Sequence, residues 1–224
     1  MPDDYEYDIF ISYRRHDADW IRWTRENFAA TIATLLAPSR GKVPIFIDDQ
    51  LDLGQRWPDE LARKLARSRV LIPLLCPDYF RSAWCKLELH MMYRREQELR
   101  KVSGRISRRL ILPFVLNDGD SFPAEVRAIQ SVGIHRFANP TWRPETRRHA
   151  KFSDVIFKHC PDIERALNEA PRFQPAWEEF SLQGFQEMFD FQVQEQTVVP
   201  ALSLTGSDGH PADSSGADVG DGDE

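Results

Sequence analysis

One acidic residue stands out in this chain because a helix would surround it with uncharged side chains. If its segment is helical, four such side chains lie three or four residues from Glu88: Trp84, Cys85, Met91 and Met92. A carboxylate in such a place either binds something polar or lies in water at the edge of the apolar face. The chemistry open to it is to accept hydrogen bonds from hydroxyl groups and to stabilise a nearby positive charge.

The elements that must position this carboxylate follow from the apolar pattern of the chain. Apolar runs predict strands at residues 7–13, 43–48, 70–75, 110–115 and 132–137. Helical periodicity predicts helices over 17–36, from Trp57 through Leu65, over the segment that bears Glu88, near 123–129 and over 146–167. Nearly continuous apolar strands that alternate with helices indicate an α/β fold, an open, flavodoxin-like sheet of five parallel strands with helices on both faces.

The candidate functional residues fall on one edge of that predicted sheet. In open parallel sheets, ligands bind outside the carboxyl ends of the strands. The segments that follow the predicted strands at this edge are 12–17, 48–58, 76–82 and 116–122. We therefore expect a ligand site at the carboxyl edge.

The net charge of −6 is concentrated at the end of the chain. Residues 203–224 contain six Asp and Glu and no Lys or Arg, which leaves 29 acidic and 29 basic residues elsewhere. A balanced body argues against nucleic-acid binding driven by a basic surface.

The cysteine and histidine content predicts neither a disulfide framework nor a metal site. The three cysteines lack C-x-x-C spacing, and the six histidines form no ligand cluster. The first eight residues do not resemble a signal peptide, and the longest apolar run, Val70 to Cys76, is too short to cross a bilayer. We expect a cytoplasmic protein with no membrane contact.

The composition changes beyond Pro171. An acidic, helix-compatible segment there carries six aromatic residues, namely Phe173, Trp177, Phe180, Phe185, Phe189 and Phe191. Either this segment folds back as a helix over apolar surface, or it is a docking face for a partner. The predicted organisation is an α/β domain over 1–170, a helical extension over 171–200 and a disordered acidic tail over 201–224.

Four ordered motifs resemble the Toll/interleukin-1 receptor (TIR) domain family. They are Asp8-Ile9-Phe10-Ile11-Ser12-Tyr13-Arg14-Arg15, Ile45-Phe46-Ile47-Asp48, Leu53-Gly54, and Ser82-x-Trp84-Cys85-x-x-Glu88. The resemblance covers residues 5–170. The first motif is similar to the animal axon-degeneration TIR enzyme, and the last is similar to plant immune-receptor TIR domains. Many members of this family cleave NAD+ at the nicotinamide–ribose bond, whereas others only assemble.

The resemblance implies that Glu88 is the catalytic residue, because cleaving members carry an essential glutamate on the helix after the third strand. Nicotinamide leaves NAD+ as a neutral molecule, so no general acid is needed and one carboxylate can suffice. That carboxylate would hold the ribose hydroxyls and stabilise an oxocarbenium-like centre. The open alternative is a solvated helix carboxylate with no function.

The resemblance also implies residues that bind the substrate: Ser12, Tyr13, Arg14, Arg15 and Trp84. An arginine after the first strand can grip the pyrophosphate with its planar fork of donors, although surface ion pairing is the alternative. Which of the two arginines faces the ligand stays open. An indole can stack on a base or on nicotinamide, although packing in the core explains it equally well.

The loop after the second strand is implied to reach a neighbouring subunit. Its predicted residues are Asp48, Asp49, Leu53, Gly54 and Trp57. The implied partners are NAD+ as substrate, further copies of the chain, and an activating sensor or signal in trans. No cofactor or metal is implied.

The leading hypothesis is therefore a bacterial immune or cell-death effector that releases nicotinamide and ADP-ribose, or a cyclised form, from NAD+. Two alternatives remain. One is a non-catalytic TIR–TIR interaction module or host-signalling mimic, and the other is a sensor that binds nucleotide without cleaving it.

Overall fold

The computed structural model describes residues 4–15, 18–47, 57–103, 109–117, 122–141 and 146–197. Its strands are β1 (Tyr7–Tyr13), β2 (Ile45–Ile47), β3 (Ser68–Leu75), β4 (Phe114–Val115) and β5 (Val132–Gly133). They form one parallel sheet in the order β2-β1-β3-β4-β5. The predicted fold class, an open five-stranded parallel sheet, is confirmed.

In the ranges that the structure describes, seven α-helices connect and cover the strands. They are α1 (Ala18–Trp23), α2 (Ala30–Arg40), α3 (Trp57–Ala66), α4 (Ala83–Ser103), α5 (Ala124–Arg127), α6 (Arg147–Glu169) and α7 (Pro175–Thr197). A π-helical turn, Thr24–Ala29, joins α1 to α2, and a 3₁₀ turn, Pro77–Arg81, precedes α4. The helical run ends at Gly41, whose φ of 72° suits a residue without a Cβ.

The fourth and fifth strands are shorter than the predicted runs 110–115 and 132–137. Ile111 forms an isolated parallel bridge with Leu71, but the continuous β4 pairing starts only at Phe114. The carbonyl of Pro113 accepts from the amide of Val132, so Pro113 faces β5. The gap in the β3–β4 ladder lies at Pro73 of β3, which has no N–H to donate to the carbonyl of Leu112. After Gly133 the chain turns, and the amide of Phe137 donates to the carbonyl of Ile134 at 2.8 Å.

Alternation along β1 sends side chains to two separate apolar cores. Ile9 and Ile11 pack with residues of the helical run from α1 to α2 and of α6 on one face of the sheet. Phe10 packs on the other face with residues of α3, α4 and α7. The side chain of Ser12 therefore lies on the same face of the sheet as that of Phe10, whereas the side chain of Tyr13 lies on the face of Ile9 and Ile11.

The aromatic segment beyond Pro171 folds back on the α/β unit. Trp177 and Phe185 of α7 are completely or almost completely buried, which agrees with the first of the two alternatives. Gly184 permits the close approach, since a Cβ there would lie 2.3 Å from the Cε of Met91 on α4. The side chains of residues 189–197, the last three residues of the predicted extension (198–200) and the predicted acidic tail (201–224) lie outside the described residues.

The beginning of β1 lies beside the beginning of α7. The hydroxyl of Tyr5 donates to the carbonyl of Pro171 at 2.8 Å, and its ring meets that of Phe173 edge to face. Arg67, just before β3, forms an ion pair with Glu178 at 2.9 Å. These contacts fix the start of α7 at the amino edge of the sheet.

Within the described ranges, no helix has the length and apolar character needed to cross a bilayer.

Candidate active site

The helix that bears Glu88 begins at a serine. The Oγ of Ser82 accepts from the amide of Cys85 at 3.3 Å, and its carbonyl accepts from the amide of Lys86 at 3.1 Å. Ser82 itself is extended, with φ of −81° and ψ of 119°, which is the backbone geometry of an N-cap. The cap therefore fixes where α4 starts and which of its residues turn towards the sheet.

Glu88 lies against the end of β1, with only 3 % of its surface exposed. The hydroxyl of Ser12 donates a hydrogen bond to the Oε2 atom of this carboxylate. Ser12 is completely buried and follows Phe10 on the face of the sheet that α4 covers. The alternative of a solvated helix carboxylate is wrong, because almost none of the side chain meets water.

Tyr79 completes a short chain of hydroxyl groups at this point. Its Oη lies 2.7 Å from the Oγ of Ser12, whose one proton is directed to Glu88. The Tyr79 hydroxyl must therefore donate to Ser12. Burial, followed by the charges of Cys85 and Glu88, raises the pKa of Tyr79 well above its usual value. Tyr79 thus stays neutral, and the network supports a negative charge on Glu88.

Tyr79 was not among the predicted site residues. It follows β3 in the 3₁₀ turn Pro77–Arg81, so it lies at the carboxyl edge that the sequence identifies. The position of that segment after a buried strand was the available signal. Its contact with Ser12 joins residues 67 positions apart and has no local signature.

The last residue of β1, Tyr13, faces the opposite side of the sheet from Ser12. Tyr13 belongs to the core formed with α1, α2 and α6, and its carbonyl accepts from the thiol of Cys85 with an S–O distance of 3.5 Å. Arg14 and Arg15 are both exposed. Arg14 lines a cleft of about 580 Å³, whereas Arg15 is not among its described lining residues.

This cleft, which we call the edge cleft, takes residues from the ends of four strands. They are Arg14 after β1, Asp78 after β3, Asn117 after β4 and His135 after β5. Glu88 does not line it within the described part of the chain. The structure therefore brings Glu88 together with Ser12, and it places Arg14 in a separate space beyond the end of β1.

A thiol also borders the edge cleft. Burial raises the pKa of Cys76, while the positive charge of Arg14 acts in the opposite direction. The protonated thiol is a weak nucleophile, so Cys76 is not the reactive group of this site.

Trp84 lies where α4 meets α7. It is half-buried, and its ring centroid is 5.9 Å from that of Phe185. This contact corresponds to the core-packing alternative for Trp84. A role in stacking on substrate stays a prediction.

Most of the predicted assembly loop lies outside the described residues, namely Asp48, Asp49, Leu53 and Gly54. Trp57 is the first residue of α3, and its side chain is likewise not described. Across the part of the chain that is described, no cluster of His, Cys, Asp or Glu is arranged to hold a metal ion.

Comparison with protein families gives one match that spans most of the α/β unit. A family model described as TIR domain matches residues 9–148. Protein SUPPRESSOR OF npr1-1, CONSTITUTIVE 1 from Arabidopsis thaliana is 32 % identical over 90 residues, which make up 39 % of this chain. The chain spans only 6 % of the length of that protein.

Two solved structures are also similar. The TIR domain of the Toll-related receptor TRR-2 from Hydra magnipapillata aligns with a TM-score of 0.47 at 13 % identity, over 73 % of this chain and 99 % of that chain. The TIR domains of the activated Roq1 resistosome, which directly recognizes the pathogen effector XopQ, align with a TM-score of 0.35 at 18 % identity. That alignment covers 84 % of this chain and 99 % of that chain.

Proposed function

Because this chain belongs to the TIR domain family, we propose that it cleaves NAD+ at the nicotinamide–ribose bond, with Glu88 as the catalytic carboxylate. The products are nicotinamide and ADP-ribose or a cyclised form. The observation that supports this proposal is the position of Glu88, an acidic side chain held by Ser12 at the carboxyl edge of a parallel sheet.

The hydroxyl network suits the charge that this reaction develops. As the bond breaks, the positive charge of the nicotinamide ring moves to the ribose, which becomes oxocarbenium-like. A fixed carboxylate in a site of low dielectric stabilises that charge more strongly than water does. The hydrogen bond that Ser12 donates orients the Glu88 carboxylate and favours its charged form, and in the proposed reaction this carboxylate accepts from ribose hydroxyls.

Burial of Glu88 adds a condition to this function. With 3 % of its surface exposed, the carboxylate cannot contact a ribose until neighbouring groups move aside. We expect association between copies of the chain to bring about this opening, so activity should rise with protein concentration. An activating sensor or signal acting in trans would have the same effect.

Arg14 is the residue that we assign to the pyrophosphate of NAD+. It is exposed at the end of β1, two residues from Ser12, and it faces the edge cleft. Its guanidinium can form two parallel hydrogen bonds with phosphate oxygens.

At the level of the cell, we propose an effector of innate immunity or regulated cell death that depletes NAD+. Its expected location is the cytoplasm, where NAD+ is available. Further copies of the chain are its expected partners.

A second candidate function is a non-catalytic interaction module. The observation that favours it is the same network, because a buried carboxylate with a hydroxyl donor can be purely structural. That module would bind other TIR domains without consuming NAD+.

The deciding experiment measures nicotinamide release from NAD+ by chromatography across a range of protein concentrations. Glu88→Gln keeps the shape of the side chain and removes its charge, so release should fall by about 100-fold or more. The control is Glu98→Gln on the same helix, where the side chain is 42 % exposed. Equal release by wild type and a folded Glu88→Gln protein would refute the proposal. No release at any concentration, together with self-association, would select the interaction module.

A further inference from the structure

The edge cleft has the size and position of a ligand site, yet Glu88 does not account for it. Its volume of about 580 Å³ lies within the range of small-molecule pockets. It opens at the carboxyl ends of β1, β3, β4 and β5. The chain places β2 on one side of β1 and β3 on the other, so the strand order reverses beside β1. Open α/β sheets bind ligands at such a switch point.

The polar part of the lining of the edge cleft suits an anion. Arg14 is exposed there, and it forms no hydrogen bond or ion pair with another residue in the described ranges. His135 and Asn117 add N–H donors from the ends of β5 and β4. The nearby carboxylate of Asp78 is offset, because Arg81 forms an ion pair with it at 2.7 Å.

The apolar part of the lining suits a flat ring. It is formed by Trp20, Leu116 and Ala138, all of which are partly exposed. Trp23 meets the ring of Trp20 edge to face at 5.7 Å, which holds the indole in place. An indole face held in this way can stack on a heterocycle.

A buried hydroxyl without a partner among the described residues also belongs to the lining. Thr24 lines the edge cleft and is completely buried, and among the described residues its Oγ1 has no hydrogen-bond partner. Such a group costs about 1–3 kcal/mol when it is left unpaired. Thr24 is also the first residue of the π-helical turn Thr24–Ala29, and π turns in helices are frequent at functional sites.

From these features we propose that the edge cleft binds a nucleoside 5′-phosphate. The phosphate lies against Arg14, His135 and Asn117, and the base stacks on Trp20. A ribose hydroxyl supplies the missing partner of Thr24 after a small adjustment of the wall.

Two kinds of molecule contain a nucleoside 5′-phosphate that fits this proposal. Segments 12–14 and 76–79 each contribute both to the surroundings of Glu88 and to the edge cleft, since Ser12 and Tyr79 adjoin Glu88 while Tyr13 and Asp78 line the edge cleft. The nucleoside phosphate is therefore either a free nucleotide or the adenylate half of NAD+. Binding is measured without turnover, so this inference stands or falls separately from cleavage at Glu88.

Isothermal titration calorimetry with AMP, adenosine and inorganic phosphate tests the site in the full chain. AMP should bind wild type and Glu88→Gln equally, and adenosine and phosphate should each bind at least about tenfold more weakly. Asn117→Trp places a large side chain at the exposed rim of the edge cleft and should weaken AMP binding by about tenfold or more. The matched control is Asn168→Trp, on the exposed surface of α6 away from the edge cleft.

No measurable AMP binding, or AMP affinity that Asn117→Trp leaves unchanged, would overturn the proposal. Loss of AMP binding in Glu88→Gln with full binding in Asn117→Trp would also overturn it, because the nucleotide would then bind at Glu88 and not in the edge cleft. Competition identifies the source. NAD+ that displaces AMP from Glu88→Gln identifies the adenylate half of the dinucleotide, and NAD+ that does not displace it identifies a free nucleotide.

Discussion

The guanidinium of Arg95 lies 3.9 Å from the centroid of the Trp177 ring, which joins α4 to α7 through a buried cation–π contact. The same guanidinium donates to the carbonyl of Ser68 at 2.9 Å and to the hydroxyl of Tyr5. Burial lowers the pKa of Arg95 to about 10. A charged side chain therefore connects the start of β1, the start of β3 and the first turn of α7.

Loss of the Trp177 ring should destabilise the fold strongly. Trp177→Leu leaves a cavity and removes the aromatic face from a buried charge, so we expect the free energy of unfolding to fall by about 3 kcal/mol or more. Urea denaturation measures this change. Phe157→Leu is the control, because Phe157 is 64 % exposed and its replacement should change stability by less than about 0.5 kcal/mol. Similar losses in the two variants would contradict the assignment.

The two hydroxyls beside Glu88 should contribute unequally to stability. Ser12→Ala removes the donor to a buried carboxylate, so we expect a loss of about 2–3 kcal/mol. Tyr79→Phe removes only a hydrogen bond between two neutral hydroxyls, and its loss should be about 1 kcal/mol. Urea unfolding of both variants provides the measurement. A larger loss for Tyr79→Phe would show that the direction of donation is the reverse.

Glu96 should make stability depend on pH. Burial raises its pKa above 4.5, while the amides of Leu110 and Ile111, which donate to it, act in the opposite direction. A raised folded-state pKa gives stability that is complete below the unfolded value and is lost as pH rises through the folded value.

Glu96→Gln lacks this titration, so its stability relative to wild type should increase as pH rises from 4.5. Chemical unfolding at several pH values from 4 to 8 gives the difference curve. Glu98→Gln, at an exposed position of the same helix, should run parallel to wild type. A flat difference curve for Glu96→Gln would show that the charged and neutral carboxyls are equally stable in the fold.

Thr24→Val should stabilise the protein in the absence of ligand. The replacement keeps the shape of the side chain and removes a buried hydroxyl that has no partner among the described residues, so we expect a gain of about 1 kcal/mol. Thermal unfolding measures it. Thr141→Val is the comparison, because its hydroxyl donates to Asn139 at 2.7 Å on the surface and its loss should give no gain. A lower melting temperature for Thr24→Val would mean that the hydroxyl has a role in the unliganded fold.

The sequence predicted the sheet well because its signals are local. The β1 run 7–13 is found with the same bounds, and the helix over 146–167 differs from α6 by two residues at most. The last two strands are shorter than predicted, because Pro73 lacks the N–H that would continue the β3–β4 ladder and because the chain turns after Gly133.

The site was predicted only in part, because its contacts join distant segments. Glu88 was singled out by its apolar neighbours, but its partner Ser12 is 76 residues away. Arg95 and Glu96 look like an exposed charged pair in the sequence, yet both are buried. Arg95 is buried because α7 covers it, and Glu96 is buried where it accepts from the amides of Leu110 and Ile111. Neither contact produces a pattern in the local sequence.

The central position of β1 has a consequence for how the chain folds as it is synthesised. β1 is made first, but it lies between β2 and β3, and its ladder is incomplete until residues 68–75 exist. The core on one face then waits for α7, more than a hundred residues later. Such non-local pairing slows folding and leaves apolar surface exposed to aggregation. The strand that organises the molecule is thus the strand whose apolar surface is covered last as the chain is synthesised.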